Sequence, residues 1–125
     1  MKLTDLVNTL GLKVISAPGN LNNEVTGGYV SDLLSDVIGN AREGDVWITL
    51  QSHVNVVAVA SMKDLAGIIL VSDRQPDEDA AAKAEEEGIT VLVSELPAFE
   101  VVGRLYGLGV RGAGDGGPMR DPGPT

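Results

Sequence analysis

Apolar runs end in short polar turns that open helix-like runs four times along this chain. The four transitions are Tyr29-Val30 into Ser31-Asp32, residues 46–50 into Gln51-Ser52-His53, residues 68–71 into Ser72-Asp73, and residues 91–93 into Ser94-Glu95. Strands that alternate with helices pair in parallel, because each helix carries the chain back to the start of the sheet. The pattern predicts a three-layer α/β fold, with a mostly parallel sheet and helices on both faces.

Apolar spacing and turn residues predict the individual elements. Helices are expected near residues 3–10, 31–38, 53–62, 77–87 and 97–108, and strands near residues 12–17, 25–30, 45–51, 66–71 and 89–93. Thr4 is a plausible N-cap of the first helix, and Gly88 is expected to end the fourth. The valines of residues 53–62 suit a strand equally well, but a parallel sheet needs a crossover helix there.

Two local patterns refine this expectation. Within the strand at residues 45–51, Val46, Ile48 and Leu50 form one face and are expected in the core. The opposite face, which carries Trp47, is mixed in polarity and is expected to be less completely covered. The adjacent pair Gly27-Gly28 interrupts a strand, which indicates a bulge or a close approach by another group.

The chain divides into one folded domain and a tail. Its 125 residues are enough for a single core. Glycine and proline crowd residues 111–125, and such a composition cannot form a packed element. We therefore expect a domain over residues 1–110 and a disordered tail over residues 111–125.

Charge and composition exclude several classes of function. The net charge of −9 opposes binding to nucleic acids and to anionic membranes. The chain has no cysteine, which excludes disulfides and thiolate chemistry and fits a reducing cytoplasm. Neither a secretory signal nor an apolar run of about 20 residues is present, so we expect a cytoplasmic protein outside the membrane.

The sequence offers no convincing catalyst. It lacks a phosphate-binding loop and a dinucleotide fingerprint, which argues against nucleotide hydrolysis or transfer. A triad of Ser52 or Ser94 with His53 and Asp73 has no support from spacing, and the adjacent Ser52 and His53 cannot readily orient as nucleophile and base. The acidic run at residues 85–87 is expected to be a solvated face rather than a metal site. No catalytic residue, metal ligand or cofactor is predicted.

A binding site is nevertheless expected at the carboxyl ends of the parallel strands, where helices begin. The candidate residues along that edge are Thr49, Gln51, Ser52, His53, Ser72, Asp73 and Ser94. Helix N–H groups beside Ser52 and His53 could bind an anion, while Asp73 would repel one or bind a ribose hydroxyl. The alternative is that Ser52 is only an N-cap and His53 only a surface residue.

Four segments together resemble a DRTGG domain: GYVSDLLSDV at residues 28–37, GDVWIT at 44–49, VNVVAVA at 54–60 and GIIL at 67–70. The resemblance extends from about residue 3 to residue 110. It implies a regulatory α/β module of the kind found beside CBS domains in regulated pyrophosphatases and within long phosphotransacetylases. It also implies a fold similar to the N-terminal domain of HPr kinase/phosphorylase, pairing of two copies, and no catalytic activity.

The pattern and the resemblance lead to one preferred function and two alternatives. We expect a regulatory domain that forms a homodimer and binds a small anionic metabolite or nucleotide, or a protein partner. The first alternative is a purely structural interaction module without a ligand, and the second is a small enzyme.

Overall fold

The computed structural model describes residues 1–112, which form five helices and a five-stranded sheet. In chain order the elements are α1 (Leu3–Leu10), β1 (Lys13–Val14), a 3-10 turn (Pro18–Asn20), β2 (Gly27–Val30), α2 (Leu34–Asn40), β3 (Asp45–Thr49), α3 (Asn55–Met62), β4 (Gly67–Leu70), α4 (Glu78–Glu87), β5 (Val91–Val93) and α5 (Ala98–Gly107). The strand order is β1-β5-β4-β3-β2, and all neighbours pair in parallel except β1 with β5. This confirms the predicted α/β fold.

Helices cover both faces of the sheet, but unequally. Side chains of α2, α3 and α4 pack with Trp47 and Ile68 on one face. Of the helices in residues 1–112, α1 and α5 pack on the other face, against Ile48, Ile69 and Leu92. Helix α5 also reaches β2, the edge strand, where Val102, Leu105 and Tyr106 line a cavity together with residues 28–30.

The ambiguous valine-rich segment is a helix. In α3, Val56, Val57, Val59 and Ala60 are buried, as a crossover helix on a parallel sheet requires. The predicted end of α4 is also confirmed, since Gly88 has φ +72° and its N–H group bonds to the last turn of the helix.

Three local predictions were wrong. Helix α1 begins at Leu3, before Thr4, and its start is held by the Asp5 carboxylate, which accepts the N–H of Lys2 at 2.8 Å. Strand β1 has two residues rather than six and runs antiparallel. Strand β3 is buried on both faces, with Trp47 fully buried, whereas Leu50 lies beyond the strand and is exposed.

Crowding by side-chain and backbone atoms explains the glycines of β2. A Cβ atom at Gly27 would lie 2.5 Å from Oδ1 of Asp45 and 3.1 Å from the carbonyl oxygen of Arg111. The close approach expected at Gly27-Gly28 is therefore present. It involves Arg111, which the sequence placed in the tail: its carbonyl accepts the N–H of Gly28 at 3.0 Å, and Gly112 bridges to Gly28. The rest of the predicted tail, residues 113–125, lies outside the described residues.

Within residues 1–112, no helix is both long and apolar enough to cross a membrane.

Candidate functional site at the carboxyl ends of the strands

Asp32 joins the loops that follow β2 and β3. Its Oδ1 atom accepts the hydroxyl of Thr49 at 2.7 Å and the N–H of Leu50 at 2.8 Å. Its carbonyl oxygen accepts the side-chain amide of Gln51 at 3.0 Å. Thr49 and Gln51 thus lie at the predicted edge, but their polar atoms are used to hold this loop pair together.

Ser52 joins the loop after β3 to the loop after β4, and its hydroxyl does not cap α3. Its hydroxyl donates to Oδ1 of Asp77 at 3.0 Å, and its carbonyl oxygen accepts the N–H of Asp77 at 3.0 Å. Asp77 lies just before α4, so the start of α4 is attached to the end of β3. Ser52 is a structural link between crossover units.

His53 is exposed and folds onto its own turn. Its Nδ1 atom accepts the N–H of Asn55 at 3.2 Å, and its carbonyl oxygen accepts the N–H of Val56 at 3.0 Å. Two of the N–H groups at the start of α3 therefore already have acceptors in the turn. Such a turn is less open to an anion than the sequence suggested.

Ser72 and Asp73 form a strained turn between β4 and α4. Both residues have left-handed backbone angles, φ +55° and +56°, which for residues other than glycine cost about 1–3 kcal/mol each. Their N–H groups donate to the carbonyl oxygens of Leu96 and Ser94 at 2.8 and 2.7 Å. The loop after β5 thus holds the turn in this conformation, and such strain concentrates at functional sites.

A cavity of about 350 Å³ opens beside this strained turn. It is lined by Leu10, Gly11, Lys13, Asp73, Val93, Ser94, Glu95, Leu96 and Arg104. Ser94 is buried, and its hydroxyl accepts the N–H of Leu96 at 3.1 Å. Within residues 1–112 neither Lys13 nor Arg104 forms an ion pair, so two positive side chains are available at the cavity.

The predicted edge therefore separates into two parts. The first part holds loops and turns together through Asp32, Asp77 and local bonds, and it contains Thr49, Gln51, Ser52 and His53. In the second part Asp73 and Ser94 line the cavity, whereas Ser72 belongs to the adjacent turn and does not line it.

Sequence reasoning missed four residues of this edge. Asp32 and Asp77 were visible as polar residues near strand ends, but their long-range partners were not. Lys13 and Arg104 gave no local signal in the sequence. Lys13 reaches the cavity only because β1 lies antiparallel beside β5, and a pairing of this kind has no local pattern.

Two carboxyl groups away from the cavity have displaced pKa values. The pKa of Asp36 is lowered by the hydroxyl of Tyr29, whose oxygen lies 2.8 Å from Oδ1, and further by Ser31 and Asn40. The same contact raises the pKa of Tyr29. Burial raises the pKa of Asp45 at the amino end of β3, against a smaller opposing effect of the Arg42 N–H.

A second, larger cavity of about 570 Å³ lies at the opposite edge of the sheet. The acidic residues Glu24, Glu43, Asp64 and Glu87 are part of its lining, so it would repel an anionic ligand. Over residues 1–112, no group of three potential ligand side chains could hold a metal ion. The carboxyl-end cavity is therefore the better candidate for an anion.

Comparison with known proteins bears on the fold alone. No protein-family model matches the chain. No curated protein matches it. A solved structure, the CBS and DRTGG domains of the regulatory region of Clostridium perfringens pyrophosphatase in complex with its activator diadenosine tetraphosphate, matches with a TM-score of 0.66 at 15% identity. The match covers 81% of this chain and 44% of that one, so this chain corresponds to less than half of the neighbour. The chain therefore has a DRTGG-like α/β fold.

Proposed function

We propose that this chain is a non-catalytic regulatory domain that binds a small anionic metabolite or nucleotide and acts as a pair of identical copies. The observation that carries the ligand proposal is the cavity at the carboxyl ends of β4 and β5, with Lys13 and Arg104 in its lining. The fold neighbour, a regulatory region in complex with a nucleotide activator, supports it.

Electrostatics favours an anion at this cavity despite the acidic chain. The net charge of −9 makes the average surface repulsive to anions, so binding requires a local concentration of positive charge. Arg104 offers a planar group suited to two oxygens of one phosphate, and Lys13 offers a second positive charge. Asp73 and Glu95 in the same lining would disfavour a bare phosphate but can accept ribose hydroxyls. This mixture suits a nucleotide better than a simple inorganic anion.

The strained turn suggests how binding would be sensed. Asp73 lines the cavity while its N–H is bonded to the carbonyl oxygen of Ser94, which lines the same cavity. A ligand that contacts Asp73 would compete with, or reinforce, the contacts that hold the left-handed turn. The turn would therefore respond to occupancy of the cavity.

Enzymatic activity is not favoured by the geometry. The Ser52 hydroxyl donates to Asp77, and Nδ1 of His53 accepts from Asn55, so the two side chains do not act on each other. A nucleophile needs a base within hydrogen-bond reach. We propose no reaction for this site.

A structural interaction module remains a second candidate, because one feature favours it. Phe99 is 86% exposed on α5, and an exposed aromatic of this kind is typical of a contact surface. This candidate predicts association without any small ligand.

Calorimetric titration of the pure protein tests the ligand proposal, with diadenosine tetraphosphate, ATP and AMP as probes. We expect at least one probe to bind and Lys13→Ala/Arg104→Ala to weaken that binding at least about tenfold, since each charged contact contributes about 1.5–3 kcal/mol. The matched control is Lys2→Ala/Arg42→Ala, which removes the same charge at the opposite edge of the sheet. Absence of binding by all three probes, or equal weakening in both double variants, would contradict the proposal.

Two further variants separate the cavity from the turn at the start of α3. If the cavity is the site, His53→Ala should leave binding unchanged and Asp73→Asn should change it. The reverse result would place the ligand at the Ser52-His53 turn, as the sequence first suggested.

A further inference from the structure

Helix α5 carries apolar side chains on more than its buried side. Val101 and Leu105 face the core, whereas Phe99 is 86% exposed. Val102 and Tyr106 occupy the flank that faces β2, where they line a cavity of about 140 Å³. Phe99, Val102 and Tyr106 follow the i, i+3, i+7 spacing, so they share one side of the helix.

The exposed end of the edge strand β2 continues this apolar surface. Val30 at the end of β2 is 51% exposed and lines the same cavity as Val102 and Tyr106. It lies on the sheet face that has two helices, because it pairs with Ile48 of the α5-side core. We call Val30, Phe99, Val102 and Tyr106 the α5–β2 strip.

We propose that a second copy of this chain covers the α5–β2 strip, with the two α5 helices antiparallel across a two-fold axis. This inference rests on the proposed pairing of copies and is independent of the ligand. It concerns where the copies meet, for which the exposed Phe99 is the main anchor.

Helix α5 has open space that could receive a side chain of the second copy. Gly103 and Gly107 lie one and two turns after Phe99, and a Cβ atom at either glycine would meet nothing within 4 Å. An antiparallel partner can thus place its Phe99 on the open track beside these glycines. A two-fold axis repeats the contact, as a closed dimer requires.

Charge is also compatible with self-association at this helix. The chain as a whole is strongly acidic, but α5 carries one Glu and one Arg and has no net charge. These two opposite charges, Glu100 and Arg104, balance within each copy, so two α5 helices carry no excess charge of one sign towards each other. Pairing through α4 would bring many acidic side chains together and would be opposed by their repulsion. Pairing through α5 does not meet this repulsion.

Sedimentation of the full-length chain tests the inference. We expect a dimer for the native sequence and at least about a tenfold weaker self-association for Phe99→Ser, as for loss of an interface anchor. Met62→Ser is the matched control, because Met62 is 60% exposed on α3, over the opposite face of the sheet. Unchanged circular dichroism would show that both variants fold. A native monomer would overturn the inference and the pairing, and leave the strip to another partner; a Phe99→Ser dimer would overturn the inference alone.

Because the chain has no cysteine, a single introduced thiol provides a second test. Gly103→Cys should form a disulfide-linked dimer under mild oxidation, since residue 103 would lie near the two-fold axis. Ala82→Cys, exposed on α4, should not. Equal cross-linking of the two variants would contradict the proposed interface. Neither test requires a ligand, so failure here leaves the cavity proposal standing.

Discussion

At the scale of single residues, Asp45 shows how a buried charge shapes its surroundings. The residue is 2% exposed, and its Oδ2 atom accepts the N–H of Arg42 at 2.9 Å to close the turn before β3. Its Oδ1 atom occupies the space that a Cβ atom at Gly27 would need. The carboxyl group thus holds the turn but is removed from water. Burial disfavours its charged form and raises its pKa.

The raised pKa predicts a pH dependence of stability for which Asp45 is responsible. The folded state holds the proton more tightly than the unfolded state, whose pKa is near 3.8, so stability falls as the pH rises from that value through the folded pKa. Asn at this position keeps an oxygen for the Arg42 N–H and does not titrate. Urea unfolding at about pH 4 and about pH 7 should show Asp45→Asn gaining stability relative to the native protein at the higher pH. Exposed Asp64→Asn is the control, and an identical shift in both variants would contradict this cause.

Tyr29 and Asp36 predict the opposite sign. The Tyr29 hydroxyl lowers the pKa of Asp36 in the folded protein. The contact therefore stabilises the folded state above the unfolded-state pKa of Asp36, and this stabilisation is lost as the pH falls through the folded-state pKa. Tyr29→Phe should raise the pKa of Asp36 towards its ordinary value. NMR titration of the carboxyl carbons measures this, with Asp64 as an internal control. An unchanged Asp36 titration would show that Ser31 and Asn40 suffice.

At the scale of elements, the β4–α4 turn should be the most strained connection of the carboxyl edge. Glycine has no steric penalty at positive φ, so Ser72→Gly should relieve strain in the folded state. Glycine also adds conformational entropy to the unfolded chain, so the free energy of unfolding should rise by only about 0.5 kcal/mol. In the control Ala82→Gly, in the middle of α4, glycine should cost about 1 kcal/mol. Thermal or urea unfolding separates the two signs. A destabilised Ser72→Gly would mean that the turn carries no releasable strain.

The elements also show which parts of the fold a sequence can reveal. Helix α4 and its end at Gly88 follow from local spacing and backbone preference, and both were predicted. Strand β1 was not, because two antiparallel residues at a sheet edge have no periodicity of their own. The same limit applies to the site: strand order places Asp73 and Ser94 on one edge, but only the folded chain brings Lys13 and Arg104 to the cavity.

At the scale of the whole molecule, the loops of the carboxyl edge form a connected series. Asp32 joins the loops after β2 and β3, Ser52 and Asp77 join those after β3 and β4, and the Ser72-Asp73 turn joins those after β4 and β5. The proposed ligand cavity lies at one end of this series. Strand β2, which contributes Val30 to the α5–β2 strip, lies at the other. Ligand binding and dimerisation could therefore be coupled through this series of loops. The same binding titration, at protein concentrations above and below the dissociation constant of the dimer, would measure this coupling.

The boundary of the folded unit is a further property of the whole molecule. The sequence places it after Val110, on the glycine and proline content that follows. Yet the Arg111 carbonyl accepts the N–H of Gly28, and the Arg111 guanidinium lies 3.8 Å from the ring centre of Tyr106 and donates to its carbonyl oxygen at 2.7 Å. These contacts attach Arg111 to both β2 and α5.

Two truncations distinguish these boundaries. A chain that ends after Gly112 should melt at the native temperature, because the composition of residues 113–125 offers little to pack. A chain that ends after Val110 loses the bond to Gly28 and the stacking on Tyr106, a loss of about 1 kcal/mol that should lower the melting temperature by roughly 4 °C or more. Arg111→Ala in the full chain is the control that separates the side chain from the backbone, and it should lower the temperature by less than removal of the whole residue. Equal melting of both truncations would return the boundary to Val110, and a drop for the longer one would show that residues beyond Gly112 stabilise the domain.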